Sequence, residues 1–327
     1  MTVISRSGER YQTLVTGCIQ RVAFEATISD IYVVGQPIPL LETDAVRHMR
    51  QLKTISFKNC SMREIQPAVF RNVPRLRLIE IVFNDLGEIA SGIFSTLEQL
   101  EVLRINNNKI ATIQDGAFGN SVTLKEVDCG HNLLEEWTAR WFGNSTNVEV
   151  MDFRFNRIRN LPKGAFGDFR QLKFVNFDHN ELEIIHPEAF GGAAGLDFLG
   201  LRYNKLAAID PGIFPDGLTI KTLSIGANHL NFLPTRVMTK IAVNEMEVDG
   251  NPWKCPCLER IFRWLHETNA AVKQSESCKG RDMPVCSFPP TYTYTCRENV
   301  EEEVTKAYLG KLKLIAPPLN QYCARLD

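Results

Sequence analysis

Two aspartates exactly one repeat apart would be the natural place to look for chemistry, and Asp128 and Asp152 stand 24 residues from each other. On neighbouring strands they would form a carboxylate pair, the arrangement that divides acid and base roles in glycoside hydrolysis. Cys129 and His131 have the composition of a thiolate–imidazole couple. Six further cysteines crowd the last quarter, at Cys255, Cys257, Cys278, Cys286, Cys296 and Cys323, where they could ligate zinc or form disulfides. Each option depends on how the chain places these residues. No phosphate-cradling glycine motif and no His-x-x-x-His pair is present in the sequence.

The placement follows from a pattern. Ten copies of Leu-x-x-Leu-x-Leu-x-x-Asn-x-Leu, with apolar substitutes, begin at Ile28, Leu52, Leu76, Leu100, Leu124, Val148, Leu172, Leu196, Ile220 and Val243. The first nine are spaced by 24 residues and the last step is 23. A period of this length marks a solenoid in which each unit buries its apolar face only against its neighbours. The expected fold is an α/β solenoid, a horseshoe of about ten 24-residue repeats with a parallel sheet on its concave face and both ends capped. Within each copy a short strand alternates inward and outward side chains. Asn84, Asn108, Asn132, Asn156, Asn180, Asn204, Asn228 and Asn251 follow at the turn, where an amide side chain can satisfy neighbouring backbone groups. Cys60 holds that position in the second copy and Gln36 in the first. The back halves carry Ile-x-x-x-x-Phe, ending at Phe70, Phe94, Phe118, Phe190 and Phe214, and these rings are expected to stack as an internal spine.

This frame reassigns the chemical candidates. Cys129 falls on an inward leucine position and is expected to be a buried free thiol. Asp128 and Asp152 fall on an outward column with Tyr32, Ser56, Glu80, Arg104, Asn176, Gly200, Ser224 and Glu247. Like charges side by side there repel by roughly 1 kcal/mol in water, which Arg104 and Arg154 can relieve. A flat ladder offers no water-excluding cleft, so the chain is expected not to be an enzyme and to need no cofactor or metal. A second column reads Phe83, Asn107, His131, Phe155, His179 and Tyr203. With Phe174 and Phe198 from the column before the central one, and Arg154, Asp178 and Arg202 from the column after it, the middle repeats carry a mixture of aromatic and charged residues. Protein interfaces favour that mixture; a solvated face, or rings that only cover the sheet, is the plainer alternative.

Composition narrows the partner. A net charge of −1 gives no long-range attraction to nucleic acid or an anionic membrane. No run of 18 or more apolar residues is present to span a bilayer. Clustered cysteines at the end of a repeat array fit a disulfide-stapled cap in an oxidising setting better than zinc, since Cys-x-Cys is not the usual Cys-x-x-Cys knuckle. Met1 to Gly17 has no apolar stretch of signal-peptide length, so the expectation is a secreted protein whose leader is missing from this sequence. The expected layout is an N-terminal cap over 1–27, with Val22 and Phe24 in an edge strand, repeats over 28–251, a cysteine-rich cap over 252–296 and a tail over 297–327. The cap is expected to contain an amphipathic helix whose apolar face is Leu258, Ile261, Phe262 and Leu265. Arg297 to Lys306 is acidic and could be helical, though too short for a coiled coil, and the chain beyond it reads as weakly structured. Asn144-Ser145-Thr146 is a glycosylation sequon, and Asn59-Cys60-Ser61 a weaker one.

The 24-residue repeats, the Gly-x-Phe back halves and Asn-Pro-Trp-x-Cys-x-Cys resemble extracellular leucine-rich repeat proteins with a cysteine-rich C-flanking domain, over roughly residues 18 to 296. That resemblance implies the pairs Cys255–Cys278 and Cys257–Cys296, each worth about 3 kcal/mol in a chain-entropy model. Cys286 and Cys323 would then pair with each other or join a partner chain in a disulfide-linked oligomer, and lone Cys18 would have lost its partner with the leader. Within the class, the chain is most similar to the secreted leucine-rich immune proteins of mosquitoes, of a type without a coiled coil. The likeness implies a complement-like role and a protein ligand, either another leucine-rich repeat chain or a complement-like protein. A cell-adhesion or signalling ectodomain with a developmental role is the alternative reading.

Overall fold

The computed structural model describes residues 2–5, 7–12, 19–20, 28–94, 96–274, 286–290 and 294–315. Cys18, Val22, Phe24, Cys278 and Cys323 lie outside the described residues. The chain divides into two compact units, Met1–Asn156 and Arg157–Asp327.

In the first unit, the strands are β1 (Thr2–Ser5), β2 (Arg10–Gln12), β3 (Ile28–Val34), β4 (Thr54–Lys58), β5 (Leu78–Val82), β6 (Val102–Arg104), β7 (Glu126–Asp128) and β8 (Val150–Asp152). They lie in the order β2-β1-β3-β4-β5-β6-β7-β8. The strands from β3 onward are parallel and pair in steps of 24, as in Leu78↔Val102, Ile79↔Leu103 and Glu80↔Arg104. Strand β1 runs antiparallel to both β2 and β3, setting the buried Val3 opposite Ile31. This hairpin supplies a neighbour for the first repeat, whose edge and core would otherwise face water. The alternation follows the pleat: Ile79, Ile81, Leu103, Ile105, Val127 and Met151 are fully buried, while Glu80, Arg104 and Asp128 point outward.

The asparagine ladder holds successive turns together. Asn132 donates through Nδ2 to the carbonyls of Ile105 (3.1 Å), Cys129 (2.9 Å) and Gly130 (3.2 Å), and its Oδ1 accepts the Ile110 N–H at 3.0 Å. Asn84, Asn108 and Asn156 make the corresponding bonds. Cys60 fits the same place. Its Sγ lies 3.5 Å from the Val33 carbonyl and 3.4 Å from that of Lys58, and its N–H donates to Asn84 Oδ1 at 2.8 Å. A buried thiol thus points at two of the carbonyls that an amide would take, with weaker bonds.

The second unit repeats the plan with β9 (Phe174–Asn176), β10 (Gly195–Gly200), β11 (Leu218–Ser224), β12 (Ile241–Glu247) and β13 (Ala271–Lys273), all parallel. Asn180, Asn204, Asn228 and Asn251 carry its ladder. Phenylalanines pack behind the strands of both units: Phe70 stacks on Phe94 and Phe118 meets Phe142 edge-on in the first, and Phe166 stacks on Phe190 and Phe190 on Phe214 in the second. Phe142 and Phe166 escape the Ile-x-x-x-x-Phe pattern because Trp137 and Leu161 stand where isoleucine is expected.

Three helices finish this unit: α1 (Thr235–Lys240), α2 (Cys255–Glu267) and α3 (Glu302–Ile315). Helix α2 buries Leu258, Ile261 and Leu265 as its spacing predicts, but Phe262 is exposed and Cys257 takes its place on the buried face. The disulfides are Cys255–Cys286 and Cys257–Cys296. The second agrees with the pair implied by resemblance; the first replaces Cys255–Cys278. The backbone explains the change. Lys254 and Ser287 form a parallel bridge in which Ser287 N–H donates to the Trp253 carbonyl (2.8 Å) and Cys255 N–H to the Ser287 carbonyl (3.1 Å), bringing Cys286 beside Cys255. Cys286 is therefore not available to Cys323 or to a partner chain.

The acidic stretch over 297–306 is helical from Glu302, and the helix, α3, runs on to Ile315 through residues read as weakly structured. Val304, Tyr308 and Leu312 are buried at i, i+4 and i+8. Ahead of the helix, Glu301 N–H donates to Asn231 Oδ1 (2.7 Å), and Glu298 accepts from Thr235 and pairs with Arg260 at 2.9 Å. The buried Lys254 ammonium binds Glu301 (3.0 Å) and the Asn299 carbonyl (2.8 Å). These bonds tie residues 298–301 to the last repeat.

The ladder carries a test. Asn132→Ala leaves the Ile110 N–H without its buried partner and removes one of two donors from the carbonyls of Ile105, Cys129 and Gly130, which keep Asn108, Asn156 and the Asn107 N–H; a buried group left unsatisfied costs about 1–3 kcal/mol. Urea unfolding is expected to show a loss of at least ~2 kcal/mol for this variant, and a change within ~1 kcal/mol for Cys60→Asn, which restores the amide.

Candidate functional site

The outward residues of the strands form a surface on each unit. In the first unit, register pairing sets Glu80, Arg104, Asp128 and Asp152 side by side on β5 to β8. Arg104 spans three strands: its guanidinium reaches Glu80 at 2.9 Å and Glu126 at 2.7 Å. Hydrogen bonding to Glu126, then to Glu80, holds its pKa above the ordinary value. Glu126 was not singled out in the sequence reading, although it belongs to the same column as Phe174 and Phe198, which was.

Asp128 and Asp152 are adjacent, as the period requires. Gly130 N–H donates to Asp128 Oδ1 at 2.9 Å. Asp152 accepts the Arg154 N–H at 3.1 Å and faces Arg154 Nε at 3.3 Å. Arg154 thus relieves the pair as expected, while Arg104 is bound up with the glutamates and acts on Asp128 only through its field. Burial dominates the outcome: it raises the pKa of Asp128 and pushes Asp152 up to about 6, with the neighbouring carboxylates adding to both.

The second column turns through left-handed backbone. Phe83, Asn107, His131 and Phe155 have φ between +54° and +56°, a region that costs a residue with a Cβ about 1–2 kcal/mol. Hydrogen bonds to the next repeat hold it there, Asn107 N–H to the Gly130 carbonyl (2.9 Å) and His131 N–H to that of Arg154 (2.8 Å). Large side chains at these positions are thereby left at the edge of the sheet. His131 is exposed and stacks on Phe155 with ring centroids 4.2 Å apart. Partial desolvation, then the charge of Arg154, lowers the His131 pKa. Phe155 remains 40% exposed and Phe83 47%, with the Lys58 ammonium 5.1 Å from the Phe83 ring centre.

In the second unit the same columns close in on themselves. Phe174 stacks on Phe198 at 4.8 Å and His179 on Tyr203 at 4.2 Å. A Cβ added to Gly200 would come within 2.7 Å of both Phe198 Cε1 and Asn176 Oδ1, so the ring lies over the strand. Asn176 and Tyr203 are buried. Arg202, expected to face a partner, is only 5% exposed. Its two terminal nitrogens bind the carboxylate of Asp249 at 3.2 and 3.3 Å, its guanidinium lies over the Tyr203 ring, and its N–H donates to Asp178 Oδ1 at 2.7 Å. Arg202, Tyr203 and Asn176 are therefore parts of the sheet's own covering. His179, Asp178, Phe174 and Phe198 are partly exposed.

The catalytic candidates separate. Cys129 is fully buried and free, its thiol pKa raised well above the ordinary value by burial, while His131 lies on the solvent side. Among the described residues no group of three or more His, Cys, Asp or Glu is placed to hold a metal ion, and no helix is long and apolar enough to cross a membrane. Asn144, in the sequon, is exposed and accepts the Asn120 N–H at 2.8 Å.

Comparisons with known proteins agree with this architecture. A leucine rich repeat model matches residues 122–182 and 146–206, and a model of the BspA type leucine rich repeat region (6 copies) matches residues 18–149. Together these matches run over more than half of the chain. Human Toll-like receptor 8 is 41% identical over 54 residues, which are 16% of this chain and 5% of the receptor. Among solved structures, the mouse RP105/MD-1 complex is similar with a TM-score of 0.66 and 17% identity, over 85% of this chain and 49% of that one. A TLR13–ssRNA13 complex gives 0.58 and 21%, over 68% and 32%. The LRIM1/APL1C complex gives 0.58 and 16%, over 87% and 57%. The chain thus spans a small part of the receptor and less than two thirds of each solved chain, and at these identities the structural likeness is one of fold.

The raised Asp152 pKa has a consequence for stability. Because the folded-state value of about 6 lies above the unfolded one, near 3.8, the ionised carboxylate disfavours folding. Its contribution is most favourable below the unfolded value and is lost as pH rises through about 6. Asp152→Asn is expected to stabilise the protein by about 1–3 kcal/mol at pH 7.5 and to give no such gain at pH 3.5, read from thermal unfolding at both pH values.

Proposed function

We propose that this chain, which is a leucine-rich repeat protein, is a secreted, non-enzymatic recognition protein that binds another protein through the solvent face of its sheet. The observation that carries the reading is the pair of half-exposed rings, Phe83 and Phe155, beside carboxylates and arginines on the first unit. Nothing in the packing of the core requires aromatic side chains at these left-handed positions, where asparagine or glycine is less strained. Exposed aromatics next to arginine are what protein contacts use.

Other observations support the setting. Two disulfides in the C-terminal cap fit an oxidising compartment, and exposed Asn144 suits a glycan. On the resemblance of the repeats and the Asn-Pro-Trp-x-Cys-x-Cys segment to secreted leucine-rich immune proteins we assign this chain to innate, complement-like defence, with another leucine-rich repeat chain or a complement-like protein as its ligand; the similar solved chains named above come from complexes of RP105 with MD-1 and of LRIM1 with APL1C. TLR13 is found with single-stranded RNA. For this chain the carboxylates of the first sheet face and a net charge of −1 oppose a phosphate backbone.

Photo-crosslinking tests the reading. A benzophenone amino acid placed at Asn107 or Arg154, on the sheet face, is expected to trap a protein from the extracellular fluid of the source organism. The same group at Lys163, outside the sheet, is expected to trap none. Phe83→Ala and Phe155→Ala should each weaken binding of the trapped protein about tenfold, or ~1.4 kcal/mol. Adducts from Lys163 alone, or adducts with RNA, would overturn it.

A further inference from the structure

On strands β5 to β8 the charges of the first unit's sheet face do not balance. Four carboxylates, Glu80, Glu126, Asp128 and Asp152, face two guanidiniums, Arg104 and Arg154. The excess is unevenly placed. Arg104 lies between two glutamates and bonds to both, so one guanidinium serves two carboxylates from strands on either side of it. The second pair has no such arrangement. Arg154 offers its Nε to Asp152 alone, at 3.3 Å, and bears on Asp128 only through its field. The two aspartates lie on parallel neighbouring strands about 4.8 Å apart.

We infer that the face formed by Asp128, Asp152 and the His131–Phe155 stack receives an arginine side chain of the protein partner, its guanidinium bonding both aspartates and its plane or an adjoining apolar residue resting on Phe155. The inference rests on the protein-recognition reading above and names the chemistry of the partner. Three features of the face favour this occupant. The internal Arg104 bridge shows one guanidinium on this face bonding two carboxylates at once, those of Glu80 and Glu126 on β5 and β7. The exposed Phe155 ring, already stacked with His131, provides a flat surface that matches a planar guanidinium. The groups already at the carboxylates argue against a bare metal ion: Gly130 N–H occupies an oxygen of Asp128, and Arg154 contacts both oxygens of Asp152. Around the pair stand Arg104 and Glu126 on one side and Arg154 and His131 on the other, so the incoming charge meets a local excess of carboxylate.

Two dipeptides that differ only in charge test this on the full-length protein: N-acetyl-Arg-Phe-amide and its citrulline counterpart. Binding is followed by the ring signals of His131 and Phe155 with isotope-labelled histidine and phenylalanine. The arginine peptide is expected to bind at least tenfold more tightly than the citrulline one, with a difference that shrinks as salt rises. In the double variant Asp128→Asn, Asp152→Asn the two peptides should bind within twofold of each other, while Phe155→Ala should weaken both alike. Equal affinities in the wild type, a preference that survives in the double variant, or no saturable shift would overturn the inference. Crosslinking at Asn107 and Arg154 would persist if only the arginine chemistry were wrong. Binding of the arginine peptide with no protein trapped at those positions would instead sink the recognition reading.

Discussion

The buried asparagine at each turn is the interaction on which the rest depends. A chain that bends after every short strand leaves carbonyls and amides inside, out of reach of water, and each unsatisfied one costs about 1–3 kcal/mol. One amide group serves donors and acceptors from successive repeats, as Asn132 does for Ile105, Ile110, Cys129 and Gly130. The strands are thereby held in register at one repeat length, so outward side chains fall into columns. Cys60 shows how narrow the requirement is: what replaces the amide is a small, buried group that still points at two carbonyls.

Register explains why the two units present such different surfaces from the same positions. In the first, residues of the left-handed column stand at the edge of the sheet, and Phe83 and Phe155 stay half exposed. In the second, Asp249 draws Arg202 inward against the face of Tyr203, and the absence of a side chain at Gly200 lets Phe198 lie over the strand. The aromatic residues are similar in kind. What separates a covering from a contact surface is whether a buried ion pair anchors the neighbour.

Period and alternation made much of this legible from the residues alone. They placed Cys129 inside, put Asp128 beside Asp152, located the asparagine ladder and anticipated α2. Features that depend on pairs distant in sequence were hidden. Nothing within one repeat tells that Arg202 meets Asp249 two repeats on, or that Ser287 bridges Lys254 and so brings Cys286 to Cys255. Helix α3 was missed in part because its anchors, Asn231, Lys254 and Arg260, lie in the last repeat and cap. Phe262 was misplaced because the apolar spacing of α2 does not show that Cys257, tied to Cys296, shares the buried face.

If the ladder holds the backbone and the outward columns choose the partner, stability and binding should come apart. The direct measurement replaces Glu80, Phe83, Asp128, His131 and Phe155 together by serine, then compares urea unfolding and affinity for the crosslinked partner with the unaltered protein. The expected result is an unfolding free energy within ~2 kcal/mol of the original, since side chains outside the apolar core contribute little, with affinity reduced at least a hundredfold. Undiminished binding to such a stripped face would contradict the assignment of this surface.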